Sequence, residues 1–408
     1  MITAHPVRKA KPLILLTAAG KALIPGSLWV TVSPKERSSV LIVQEHLPHY
    51  RVPFFECLRD ELHRNRVDLR VAFSQKKSQG HMPGNMPWAE AVPIHWVGPL
   101  GWQNLLPRAR GVSLVVAPQE VKYAAVPLLL FLRKWGGWKF AFWGHGKNFQ
   151  ASRADSLAER WKRSLSRRAD WWFAYNGLSA RVVEELGFPR ERITEVGNAI
   201  DTRSLIDLRA KVTEADQQAL RRDLGISGEN VAIFTGRLYP HKRIPFLLEA
   251  CRQVRQNLPD FELIVLGSGP EEALVQAAAR QYPWIRFVGP KDDREKVPYW
   301  SLAKVALMPG LLGLGVLDAF ALGVPMVTTD YPYHSPEVGY LSHGKNGWVA
   351  RPWQDSQAFA QEVASLLKNP SLREDLAREA LAQAKTLTIE AMSKNFCGGV
   401  LRCLHAKK

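Results

Sequence analysis

Residues 236–243, GRLYPHKR, place Arg237, Lys242 and Arg243 in one short loop that starts at Gly236, leaves the apolar run NVAIFTGRL and enters the helical pattern RIPFLLEACRQVRQNLP. Cations at a strand-to-helix turn can combine with the helix N-terminus to hold a pyrophosphate. A solvated charge run is the plainer use of the same residues, and the strand-to-helix position favours phosphate. Residues 266–272, LGSGPEE, follow the next apolar run and carry Gly267 and Gly269. Alone, G-x-G is explained by a tight turn needing positive φ; it gains force as the neighbour of the first loop. The third stretch, residues 308–330, reads MPGLLGLGVLDAFALGVPMVTTD and holds a lone acid, Asp318, before its closing TTD. Gly310, Gly313 and Gly315 let a backbone approach a ligand closely, and Asp318, opening the helix DAFALG, can bond the two hydroxyls of a ribose. An acid at a helix start also complements the macrodipole, and the two uses are compatible.

These loops need strands that end on one rim. VLIVQ from residue 40 is a short buried-strand pattern, and VPFFECLRDELHRN after it has helical periodicity. LRVAFS, SLVVAPQ, KFAFWGHG and DWWFAYN continue the alternation in the first half; NVAIFTGRL, FELIVLGSGP, IRFVGP, VALMPG, VPMVTT and GWVA continue it in the second. The expected fold is α/β, with two doubly wound Rossmann-like domains facing across a cleft that holds ligands at the carboxyl ends of the strands. The expected divisions are an N-terminal extension at 1–39, a first domain at 40–198, a second at 199–385 and a C-terminal helical segment at 386–408 that crosses back. VGNAID, residues 196–201, is the expected linker.

The totals are consistent with two folded domains: 408 residues, 46% hydrophobic and 23% charged. The net charge is +17 and is uneven, because residues 1–200 carry 29 of the 55 basic side chains and only 15 of the 38 acidic ones. That half is expected to face something anionic: a membrane surface, a phosphorylated substrate or nucleic acid. Cys57, Cys251, Cys397 and Cys403 have neither zinc-site nor disulfide spacing, as in a cytosolic protein. The apolar stretch 12–32 contains Lys21, Pro25 and two glycines, which makes a poor spanning helix. A signal peptide behind Arg8, Lys9 and Lys11 is the alternative to a flexible or misassigned extension.

Taken together, GRL…HKR, LGSGPE and GVLDAFALGVPMVTTD followed by SPEVGYLSHGKNGWVA resemble the C-terminal domain of the family 4 retaining glycosyltransferases, whose fold is GT-B. LPHYRVPFF at 47–55, GHGKN at 144–148 and GNAID are similar to the same group, so the likeness runs from about Val40 onward. It implies that Arg237 and Lys242 neutralise the diphosphate of a nucleotide-sugar donor. Asp318 falls where the second glutamate of the family's paired motif binds ribose. The first glutamate would fall at position 310, where this chain has Gly310, with Glu337 of SPEV as a possible substitute near the donor sugar. His145 lies between two glycines at a strand end, where a structural histidine is common; the resemblance implies instead that it contacts a sugar hydroxyl. His49 and Arg51 are the candidates for the acceptor side.

The implied reaction moves a sugar from a nucleotide-diphosphate donor to a glycan or lipid-linked acceptor with retention, in cell-surface polysaccharide or lipopolysaccharide synthesis. No metal or other cofactor is expected, and no DxD signature is seen. The basic stretch SLAERWKRSLSRRADWW, with Arg160, Lys162, Arg163, Arg167 and Arg168 around Trp161, can lie on an anionic bilayer or form a solvated helix face. With the basic half on the acceptor side, the expectation is a cytoplasmic enzyme, peripheral at the inner face of the membrane. Nucleic acid is not an expected partner, since no recognition motif is present. The alternatives are a catalytically silent GT-B binding protein, favoured by Gly310, and a nucleotide-sugar epimerase.

Overall fold

Short runs of Val, Ile, Leu and Phe become strands covered on both faces, and each intervening helix offers one apolar stripe. A parallel sheet with helices on both sides buries both kinds of surface. The computed structural model describes residues 21–22, 30–31, 37–74, 86–120, 122–146 and 164–406. Residues 1–38 and 39–408 are separate units. In the first, β1 (Lys21–Ala22) and β2 (Val30–Thr31) pair antiparallel; most of the expectation for residues 1–39 lies outside the described residues.

The second unit contains two large sheets. The first comprises β3 (Ser38–Gln44), β4 (Val67–Phe73), β5 (Ala89–Ala91), β8 (Leu114–Pro118), β9 (Lys139–Gly144), β10 (Trp171–Ala174) and β11 (Ile193–Glu195), in the order β11-β10-β9-β8-β3-β4-β5. Between β5 and β8 the chain makes a separate antiparallel hairpin, β6 (Ile94–Val97) with β7 (Leu100–Gln103). The second large sheet comprises β12 (Asn230–Thr235), β13 (Phe261–Leu266), β14 (Ile285–Gly289), β15 (Val305–Met308), β16 (Met326–Thr329) and β17 (Gly347–Ala350), all parallel, in the order β14-β13-β12-β15-β16-β17. The chain winds outward one way and then the other, so strand order reverses between β3 and β8 in one lobe and between β12 and β15 in the other. At each reversal the flanking loops part, which leaves a crevice beyond the carboxyl ends of the strands.

Central strands carry the core. Every residue of β13 is buried, as are Val231 to Phe234 of β12. The helix Ile389–His405, capped by the Thr388 side chain accepting from the Ala391 N–H, returns to the first lobe. Its Phe396 stacks on Phe173 of β10 with ring centroids 4.2 Å apart and the planes within 7°, and it meets Phe54 edge-on at 6.0 Å. Burial of one such aromatic contributes about 1.5–3 kcal/mol.

Candidate functional site

The crevice at the β12/β15 reversal is a cleft of about 770 Å³. Gly236, Arg237 and Lys242 line it from the loop after β12, Gly267 and Gly269 from the loop after β13, and Gly313, Gly315 and Asp318 from the segment after β15. His46, just past β3 of the other lobe, also reaches it. Three loops widely separated in sequence therefore meet at one rim.

What brings them together is close backbone packing. Gly267 has φ +143°, and a Cβ there would lie 1.9 Å from the Gly236 carbonyl oxygen; one on Gly269 would lie 2.2 Å from that of Leu238. The glycines of LGSGP thus seat their loop against the cation loop, with Leu238 N–H donating to Ser268 O at 2.8 Å. Gly310 is hemmed in by the same loop. A Cβ at 310 would stand 2.3 Å from His241 O and 2.6 Å from the Lys242 carbonyl carbon, where backbone atoms cannot swing aside. No glutamate fits at 310 without moving the loop that carries Lys242. Gly310→Ala is expected to destabilise the protein by about 1–3 kcal/mol, read as a lower denaturation midpoint; an unchanged midpoint would show that the two loops yield easily.

The neighbouring hydrogen bonds close the same junction. Leu311 N–H donates to His241 O at 2.7 Å, and Leu312 N–H donates to Nδ1 of His334 at 2.9 Å. Because Nδ1 accepts, the proton of the ring is on Nε2, which donates to Thr329 O at 2.8 Å. Burial lowers the His334 pKa, in keeping with a neutral ring.

Lys242 is half-buried and donates from Nζ to Leu311 O at 2.6 Å. Burial pulls its pKa down to about 8, and among the described residues no acidic side chain offsets that pull. Arg237 is exposed on the cleft wall, its guanidinium 6.0 Å from the Tyr239 ring centroid. Arg243, the third cation of the loop, faces elsewhere. It adopts φ +58°, packs 3.9 Å from the Phe246 ring centroid and 4.8 Å from that of Trp353, and donates to Pro309 O and Trp353 O. It braces the loop and does not line the cleft.

Asp318 belongs to the helix Gly315–Ala321, which starts three residues earlier than its sequence pattern suggests. Its side chain is 15% exposed, and its Oδ1 accepts from Lys296 Nζ at 2.7 Å. Burial raises the Asp318 pKa, and the Lys296 charge opposes that rise. Burial disfavours the charge on Lys296 as well, but Asp318 and Asp293 together outweigh it and raise its pKa. Lys296, 10% exposed, is thus a further cation on the cleft wall, beside Arg237 and Lys242. In sequence it is hidden in the charge run KDDREKVPYW; the available signal was that this run follows IRFVG, one more strand ending on the same rim.

Residues 216–383 match the family of glycosyl transferases group 1. Over 237 residues the chain is 27% identical to WcaL of Salmonella typhimurium, named as a colanic acid biosynthesis glycosyltransferase, covering 54% of either chain. Over 152 residues it is 32% identical to the phosphatidyl-myo-inositol mannosyltransferase of Mycobacterium leprae, covering 35% of this chain and 38% of that one. The chain therefore spans about half, or less, of the curated relatives it matches. Crystal structures of Anabaena Alr3699/HepE in complex with UDP and with UDP-glucose cover 89% of this chain and 99% of their own, with TM-scores of 0.66 and 0.64 at 18% identity. The fold is GT-B.

Within the GT-B architecture, the remaining predicted residues stand apart from this cleft. Arg51 is buried, with Nη2 donating to Asn198 Oδ1 and Nη1 to Ala199 O, and its guanidinium lies 5.7 Å from the Trp143 ring centroid. Glu337 is buried too and accepts from Asn198 Nδ2. Neither Arg51, expected on the acceptor side, nor Glu337, expected near the donor sugar, is among the residues lining the cleft around Lys242. Their charges are buried in a row through Asn198 that clamps the connection between the GT-B lobes. Burial raises the Glu337 pKa, opposed by Asn198 and by the Arg51 charge. His145 sits at the carboxyl end of β9, partly buried and edge-on to Tyr175 at 4.3 Å, and does not line the cleft around Lys242. His49 is exposed, its Nε2 3.7 Å from Asp293 Oδ2 of the facing lobe. Lys147 and Asn148 of GHGKN lie outside the described residues, as do Arg160, Trp161, Lys162 and Arg163 of the basic stretch. Among the described residues no three His, Cys, Asp or Glu side chains converge on a possible metal position.

Proposed function

We propose that this chain is a glycosyltransferase, moving a sugar from a nucleoside-diphosphate donor held in the cleft to a glycan or lipid-linked acceptor with retention of configuration. The observation that carries the reading is Lys242: a half-buried ammonium at a strand-order reversal, pulled down by burial and offset by no acid, beside the exposed Arg237. Such a pair can take an anion, and a diphosphate supplies one. Support for the class comes from the group 1 match and from the names of the relatives. Support for a uridine nucleotide comes from the UDP and UDP-glucose complexes of the Anabaena protein.

Breaking the anomeric bond to a diphosphate builds oxocarbenium character on the sugar and negative charge on the leaving oxygen. Arg237 and Lys242 stabilise that charge as it develops, without a metal being assigned to the role. Asp318 takes the ribose hydroxyls, and Lys296 holds its carboxylate in place. The product belongs to a surface polysaccharide or lipopolysaccharide, made at the cytoplasmic face of the membrane. A silent GT-B binding protein is the second reading, favoured by the absence of room for any side chain at 310.

A thermal-shift screen of the full chain against UDP, GDP, ADP and their sugar conjugates tests the donor site, since a ligand of the folded state raises Tm by mass action. One nucleotide is expected to stabilise the protein, and its sugar conjugate to turn over when acceptor is supplied. Binding without any turnover would favour the silent reading, and no shift with any nucleotide would remove the transferase reading and leave a silent GT-B protein that binds a partner.

A further inference from the structure

We propose that the outer face of the helix Ala125–Gly136 is the surface on which this protein seats on an anionic lipid bilayer. The inference deepens the membrane-peripheral part of the proposed function and rests on it, but on residues far from the donor cleft.

Among the described residues seven large apolar side chains are exposed, and six of them lie either on this helix or on the β6–β7 hairpin. Phe131 and Trp135 are 63% and 73% exposed, stand one helical turn apart and pack on each other with ring centroids at 5.3 Å. An aromatic pair left in water at that exposure is costly for a helix whose other side, Val126, Leu129 and Leu130, already anchors it in the core. The hairpin is tied to the start of the same helix: Gly101 N–H donates to Lys122 O, Ala124 N–H donates to Gly101 O, and Trp96 packs against Tyr123 at 6.1 Å. It presents Trp96, Val97, Leu100 and Trp102 to solvent.

Charge decides what covers this face. Beside Phe131 and Trp135 runs a groove of about 470 Å³ to which Lys134, Arg167, Arg168 and Arg192 contribute. Its one acid, Asp170, is already paired with Arg133 at 3.2 Å and accepts the Phe140 N–H at 2.8 Å. Exposed aromatics backed by arginine and lysine for which, among the described residues, no acid but Asp170 lines the groove match the boundary between acyl chains and anionic headgroups: rings enter the interface and cations meet phosphates. An apolar protein partner would not call for that rim. Among the described residues no helix is long and apolar enough to cross a membrane, so attachment through them is by a surface.

The test is co-sedimentation of the full chain with vesicles of phosphatidylethanolamine and phosphatidylglycerol, against vesicles of phosphatidylcholine alone. Three forms are compared: wild type, Phe131→Ser/Trp135→Ser and Arg167→Glu/Arg168→Glu. Wild type is expected to bind the anionic vesicles, more weakly as salt rises, and each double variant to bind at least about tenfold less tightly. The substituted side chains are exposed, so an unchanged Tm confirms that each variant is folded. Equal binding of all three proteins, equal binding to both lipids, or preferential capture of single-stranded nucleic acid by the arginine face would each overturn the proposal. No nucleotide is present, so a protein that binds vesicles but no donor refutes the transferase reading alone, and one that shows a nucleotide Tm shift but ignores vesicles refutes only this one.

Discussion

Replacing Lys242 by methionine is expected to weaken nucleoside-diphosphate binding about 10- to 100-fold, the loss of one charge-assisted contact, while leaving the Tm of the free protein unchanged or slightly higher. The two effects part because the lysine is at odds with its surroundings in the absence of ligand. Its folded pKa, about 8, lies below that of an unfolded lysine, about 10.4, so its charge costs stability at neutral pH. That cost fades as pH rises from the folded value through the unfolded one. Binding responds in the opposite sense. A diphosphate favours the ammonium, so affinity is expected to hold up to about pH 8 and then fall, approaching tenfold per pH unit, a dependence that the methionine variant loses. Calorimetric titration at about pH 7 and about pH 9.5 measures both. Equal affinities at the two pH values, with an unaffected variant, would remove Lys242 from the phosphate site.

Lys296→Met is expected to act on stability first. It strands Asp318 in a poorly solvated position, and breaking such a pair typically costs about 3–5 kcal/mol. The pH dependence identifies the cause. Without Lys296 the aspartate pKa rises further above its unfolded value, so the native state holds a proton that the unfolded chain releases and stability falls as pH rises. The deficit of the variant is therefore expected to shrink as pH is lowered toward about 5. Adding Asp318→Leu should restore stability at neutral pH, because the orphaned charge is gone, yet neither variant should recover nucleotide affinity. Denaturation midpoints with and without nucleotide check the whole pattern. A double variant as unstable as the single one would place the damage in lost packing rather than lost charge.

Much of this architecture was legible because it is local. VLIVQ, FELIVLG and VALMPG are apolar runs too short for helices and continuous enough for strands buried on both faces, and each appears as a parallel strand. Where those strands end, glycine and cations follow, so the rim around Gly236, Gly267 and Gly313 could be anticipated. What the sequence did not reveal is tertiary. Arg51 reads as a cleft cation until Asn198, 147 positions away, is seen to take its guanidinium. Glu337 reads as a spare acid until the same asparagine claims its carboxylate. Lys296 went unnoticed because nothing in a single sequence pairs it with Asp318. At Gly310 the residue type was plain, but the reason for it, the carbonyls of His241 and Lys242 standing where a Cβ would be, exists only in the folded chain.

The returning helix Ile389–His405 has a consequence for how the protein is made. Phe396 completes an aromatic cluster with Phe54 and Phe173, and Arg402 donates to Thr194, 208 positions earlier. The first lobe to leave the ribosome must therefore wait, with an apolar surface uncovered, until the second lobe has been synthesised and the helix that seals the first emerges behind it. Folding that finishes in this order links the two lobes during biogenesis, and makes the interval between them the period in which the nascent chain is most exposed to aggregation and to chaperones.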